Sequence, residues 1–252
     1  MNMKLTEEQL IENWKRVLDI ITTEIKGQRQ TNLLSLYNNF AERMILAPAS
    51  GRDYYHGAFP GGYIKHVLNV VDFALSINDL YISKGLVPTY TREALVFSAL
   101  NHDLGKIGDD EGEYFITHNE KWRKERGEIY IHNGKIRYMD VPDRGLWLLQ
   151  EFGVKVTQSE MIAIRLHDGM YDEGNNKYLV VFSEDKQLKD DLPHILHHAD
   201  MMATIIEKNQ WKKETGKIKE INNSTPILES KFKSKQLNKI THEFFNNMDN
   251  TK

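Results

Sequence analysis

His102-Asp103, in the run Asn101-His102-Asp103-Leu104-Gly105-Lys106, sets an imidazole beside a carboxylate at the end of the small and apolar stretch Phe97-Ser98-Ala99-Leu100. Adjacent residues on a helix diverge by about 100°. The pair can therefore share a metal ion only where other segments converge on a buried point. Two segments qualify: His66 in Ile64-Lys65-His66-Val67-Leu68, and Asp200 in His197-His198-Ala199-Asp200-Met201. His66, His102, Asp103 and Asp200 form a mixed N/O donor set that suits Mn²⁺, Fe²⁺, Co²⁺, Ni²⁺, Zn²⁺ or Mg²⁺. Such a set leaves coordination positions open, where an ion can acidify a water and hold a phosphoryl group in line. The dipeptide recurs at His167-Asp168, so the weight lies on the set and not on the pair alone.

Other charged groups lie close in sequence. Lys106 follows His102 by one helical turn, which puts its ammonium within reach of a substrate phosphate as a candidate catalytic group. Arg144 stands near a helix start, a favourable place for an anion, and Arg52 precedes Asp53-Tyr54-Tyr55. Both are candidate substrate-binding residues, and either could instead be an ion-pair partner. His197 shares the helical face of Asp200, whereas His198 points elsewhere and reads as structural. Asp109-Asp110-Glu111 could bind a second ion or form a solvated loop. His118, His132 and His194 read as ordinary surface histidines.

The pattern H…HD…D in three apolar helical settings, with Gly105 and Lys106 after the pair, resembles the HD-domain superfamily of metal-dependent phosphohydrolases. The resemblance spans residues 50–210 and implies a mainly α, HD-domain helical bundle. It implies one or two divalent ions (Mn, Mg, Co, Ni, Fe or Zn) on His66, His102, Asp103 and Asp200. A lysine at the position of Lys106 is usual in that family. In several of its two-metal members a histidine in the region of His167 ligates a second ion or touches substrate. The alternative for His167 is an imidazolium at a helix C-terminus. His56-Gly57-Ala58-Phe59-Pro60-Gly61-Gly62, ahead of His66, is similar to the same stretch in the HD domain of bacterial 3′-to-5′ exoribonucleases. The oligonucleotide-binding barrel and late His-His pair of those enzymes are not recognisable here.

Helices must position these groups. Thr6 and Gln9 form a capping box, followed by an apolar stripe of Leu10, Trp14, Val17 and Ile21. Helices are expected over 33–47, 61–83, 91–102, from Pro142, over 157–167 behind a Thr157/Glu160 capping box, over 192–207 and over 231–245. The alternating residues on either side of Asn133-Gly134 predict a β-hairpin over 128–139, inserted as a flap, because that dipeptide favours a type I′ turn. Tyr178-Leu179-Val180-Val181-Phe182 predicts a short strand.

The chain has 252 residues and shows no linker or repeat, so a single HD-type domain with helical extensions is expected over 1–252. Without cysteine it has no disulfide, thiolate zinc site or thiol nucleophile. The start lacks a signal-peptide pattern and no run is apolar enough to span a bilayer, so a cytoplasmic location and no membrane partner are expected. A formal net charge of −3 argues against broad nonspecific nucleic-acid binding, despite the basic cluster Lys231, Lys233, Lys235 and Lys239. Three functions compete: hydrolysis of a nucleoside mono- or triphosphate, 3′-to-5′ exonuclease action on a single strand, and non-enzymatic nucleotide sensing.

Overall fold

The computed structural model describes residues 5–217, and they are mainly helical. The expected helix over 231–245 lies outside the described residues. The order is α1 (Glu7–Glu24), α2 (Gly27–Asn39), α3 (Ala41–Leu46), α4 (Gly62–Ser83), α5 (Arg92–Asn101), β1 (Phe115–Thr117), α6 (Lys121–Glu125), β2 (Tyr130–His132), α7 (Val141–Glu151), α8 (Gln158–Leu166), α9 (Asn176–Leu179) and α10 (Leu192–Glu214). Both expected capping boxes form: Thr6 and Gln9 satisfy each other's backbone N–H at α1, and Thr157 and Glu160 do so at α8. The single helix expected over 33–47 is instead two. Phe40 leaves the helical region at φ −107°, ψ 19°, and its buried ring packs edge-on to Phe152 at 5.9 Å.

α5 is the central element. Every residue from Ala94 to Asn101 is buried, so it shows no polar face. Burying side chains such as Leu95, Phe97 and Leu100 stabilises by about 1.5–3 kcal/mol each. Thr91 opens the helix by accepting a hydrogen bond from Ala94 N. α4 and α8 pack on α5, and α10 packs on α4, α5 and α8. α1 closes the bundle against α4 and α5.

After α5 the chain tightens into a 3₁₀ turn, Leu104–Ile107. Gly105 is required there by close approach: a Cβ would lie 2.1 Å from the Val141 carbonyl oxygen at the start of α7. That contact presses the turn against α7.

The hairpin forms with a different partner. β2 pairs antiparallel with β1, Phe115 opposite His132, and residues 135–139 are not a strand. Asn133 explains the shift. Its Nδ2 donates to Glu113 O (2.9 Å) and its Oδ1 accepts from Lys135 N (3.1 Å), so an Asx turn replaces the type I′ turn. Neither Asn133 nor Gly134 has the positive φ that a type I′ turn needs. The strand expected over 177–183 is also absent; α9 covers its first half, and Phe182 is 98% exposed. A β-rich run becomes a strand only against a neighbour, and none pairs with it among the described residues.

Candidate metal centre

Four helices that pack together deliver the expected ligands to one point. α4 brings His66, the end of α5 brings His102 and Asp103, the end of α8 brings His167, and α10 brings Asp200. His66 Nε2 lies 3.1 Å from Asp200 Oδ1, 3.4 Å from His102 Nε2 and 3.6 Å from Asp103 Oδ2. His102 Nε2 is 3.4 Å from Asp103 Oδ2 and 3.9 Å from Asp200 Oδ1. His167 Nε2 is 3.5 Å from Asp103 Oδ1, which places it on the other oxygen of the same carboxylate. Asp168 adds a carboxylate oxygen 3.6 Å from His167 Nε2. All but Asp168 and Asp200 are almost fully buried; Asp168 is 52% exposed, so the cluster opens to solvent on its side.

The imidazoles are held from behind. His102 Nδ1 is 2.8 Å from Ala99 O, and His167 Nδ1 is 2.8 Å from Ile164 O. His66 Nδ1 faces both oxygens of Glu207, at 3.2 and 3.3 Å. A carbonyl or carboxylate can only accept, so each Nδ1 carries the proton and each Nε2 is turned inward. This is the outer hydrogen bonding that orients metal-binding histidines. An ion about 2.1 Å from N/O donors sets neighbouring donors about 3.0 Å apart in an octahedron and about 3.4 Å in a tetrahedron. The 3.1 and 3.4 Å separations fall in that range and those of 3.5–3.9 Å are wider than it, and the buried His/Asp groups could hold a metal ion.

The electrostatics agree. Burial alone would depress the His66 imidazolium, but the Glu207 and Asp200 carboxylates overcome it and raise its pKa to about 10. His167 is likewise raised to about 9 against burial, by Asp168 and Asp103. Burial opposes ionisation of Asp103 too, yet Lys106 and then His102 hold its carboxyl well below the usual range. Asp200 is lowered mainly by His66 against the same burial penalty.

The candidate substrate-binding and catalytic residues separate. Lys106 Nζ is 2.6 Å from Asp103 Oδ2, beside the cluster. Arg52 is exposed and bonded to the Tyr54 hydroxyl at 2.8 Å. Arg144 is not at the cluster surface: it is fully buried, ion-paired with Asp109 and donating to Arg137 O. Asp109 pairs with Arg144 through Oδ2 and accepts from Glu111 N at 3.0 Å through Oδ1. His197 Nδ1 donates to His167 O at 2.8 Å, and His198 Nδ1 shares a hydrogen bond with the Tyr81 hydroxyl at 2.8 Å. His118 is buried, unlike the surface position expected of it.

Sequence reasoning missed three contributors. Glu207 stands two helical turns beyond Asp200 on one face of α10, and that spacing was the available signal. Asn69, one turn after His66, donates to Glu207 at 2.6 Å. The His56 ring lies tilted against that of His66, with ring centroids 4.6 Å apart. Burial, then repulsion from His66 and Lys106, lowers its pKa to about 3.

No family model, no curated protein and no solved structure matches the chain.

Proposed function

We propose that this chain is an HD-type, metal-dependent phosphohydrolase that cleaves a phosphate ester or anhydride of a nucleotide. One observation carries the reading: three imidazole Nε2 atoms meet the buried Asp103 and half-buried Asp200 carboxylates at 3.1–3.9 Å, with every Nδ1 already satisfied. His66, His102, Asp103 and Asp200, with His167 on the second oxygen of Asp103, would hold the ion or ions. A bound divalent cation supplies Lewis acidity to a phosphoryl oxygen and lowers the pKa of a water.

The chain's own groups do the rest. Glu207 and the carbonyls of Ala99 and Ile164 fix the imidazoles, so no reorganisation is needed as charge develops. Lys106 supplies a fixed positive charge beside Asp103, where phosphoryl oxygens would gather. A cleft next to it is lined by Pro48, Tyr114, Phe115 and Tyr130, with Lys106 in its wall. Aromatic surface next to a cation suits a nucleoside phosphate.

The test supplies Mn²⁺, Mg²⁺, Co²⁺ or Ni²⁺ to the purified chain and offers nucleoside mono- and triphosphates and labelled single-stranded RNA and DNA. Products are resolved by mass. Phosphate or pyrophosphate released from free nucleotides, and lost in Asp103→Ala, supports the reading. Shortening of strands without any release from free nucleotides would replace it with the exonuclease reading.

A further inference from the structure

His56 is the one imidazole beside the cluster that has nothing to bond. Its Nδ1 and Nε2 are both buried, and neither has a hydrogen-bond partner among the described residues. A histidine ring always carries at least one N–H, so burial without a partner is a standing cost. The backbone that carries the ring is nevertheless held in place. Ala49 N and Phe59 N both donate to Gly57 O, at 2.8 and 2.9 Å, and Gly62 N donates to Phe59 O at 2.9 Å. A Cβ on Gly62 would lie 2.0 Å from Gly57 O, and one on Gly57 would lie 2.7 Å from the Ala49 Cβ. The loop from His56 to Gly62 is therefore clamped against residue 49 and the start of α4, and it lays the His56 ring 4.6 Å from that of His66.

A second cation between His56 and Glu207 is the rival use of this ring, and the geometry disfavours it. His66 Nδ1 is committed to Glu207 as a donor, and Asn69 Nδ2 takes Glu207 Oε1 at 2.6 Å. His66 then offers only Nε2, which faces Asp200 and Asp103. Two donors remain on the His56 side, too few for a closed site.

We propose that His56 is a substrate-contacting residue, hydrogen-bonding an oxygen of the phosphate group that the neighbouring His/Asp cluster handles. This rests on the phosphohydrolase reading. Bound phosphate satisfies a ring nitrogen that has no partner in the fold, and the ring reaches it by turning about its Cα–Cβ bond, which the backbone hydrogen bonds of the loop leave free.

The experiment compares the full chain with His56→Leu and His56→Gln by calorimetric titration, first with Mn²⁺, then with inorganic phosphate on the Mn²⁺-loaded protein. Mn²⁺ affinity stays within about twofold in both variants, because His56 is not a ligand. Phosphate affinity falls about tenfold or more in His56→Leu and less in His56→Gln, whose amide keeps a donor and an acceptor. The melting temperature of metal-free His56→Leu does not fall, since no hydrogen bond is lost; the glutamine variant, polar like the original, carries the comparison if leucine disturbs the loop. Equal phosphate affinity in folded variants and wild type overturns the proposal while leaving the metal centre standing. Mn²⁺ lost in both variants as completely as in His66→Ala overturns it in favour of a metal ligand. A wild-type chain that binds no Mn²⁺ sinks the phosphohydrolase reading and this proposal together.

Discussion

His66 Nδ1 and Glu207 Oε2 meet at 3.2 Å across 141 residues of chain, and that contact turns His66 Nε2 toward Asp200. Glu207 therefore orients a candidate ligand without being one. Glu207→Gln keeps an acceptor oxygen but removes the charge, and Glu207→Ala removes both. Metal affinity is expected to fall about 10- to 100-fold in Glu207→Ala and by less in Glu207→Gln. Titration with Mn²⁺ checks this; an unchanged affinity in the alanine variant would refute the orienting role.

Metal uptake should release protons. The folded pKa values of His66 and His167, about 10 and about 9, lie above the ordinary histidine value of 6.5. Their contribution to the stability of the metal-free fold is full below pH 6.5 and is lost as pH rises through 9 to 10. An ion must displace these protons, so apparent affinity rises from pH 6 to 8, with about two protons released per fully occupied centre. Calorimetry in buffers of different ionisation enthalpy counts them. A flat affinity over that range, with no buffer dependence, would contradict the arrangement of charges described above.

Arg144 should matter to stability and not to metal binding. Removing it leaves Asp109 buried without its partner, and breaking one side of a buried pair costs about 3–5 kcal/mol. Arg144→Met is expected to lose that much in urea unfolding, and Asp109→Asn/Arg144→Met to recover part of it. An Arg144→Met variant of full stability with a raised KM would instead show a substrate contact.

Gly134→Ala separates the two turns available to Asn133-Gly134. Gly134 lacks a positive φ, and a Cβ there meets nothing within 4 Å. The substitution should be neutral or stabilise by about 0.4–1 kcal/mol, through the unfolded chain. In a type I′ turn it would destabilise, because alanine resists positive φ. Urea unfolding decides between them.

Much of the centre was legible because it is written in residue types within locally coded helices. His66, His102, Asp103 and Asp200 stand out as metal-ligand chemistry on apolar helices, and they do meet. Thr6 with Gln9 and Thr157 with Glu160 encode helix starts through bonds three residues long, so no distant partner can overrule them. Asn133-Gly134 was less decisive: the same residues support two turns, and the carbonyl of Glu113 selects one.

The sequence by itself determined the helices, their caps and the kinds of donor they carry, since torsional preference and side-chain chemistry act within a few residues. Only the tertiary structure decided which donors share a point, that Glu207 stands behind His66, that Arg144 is buried against Asp109, and that His56 has no hydrogen-bond partner among the described residues. Those outcomes depend on how α4, α5, α8 and α10 pack. Burial and hydrogen bonding between residues far apart in the chain are properties of that packing, and no local spacing encodes them.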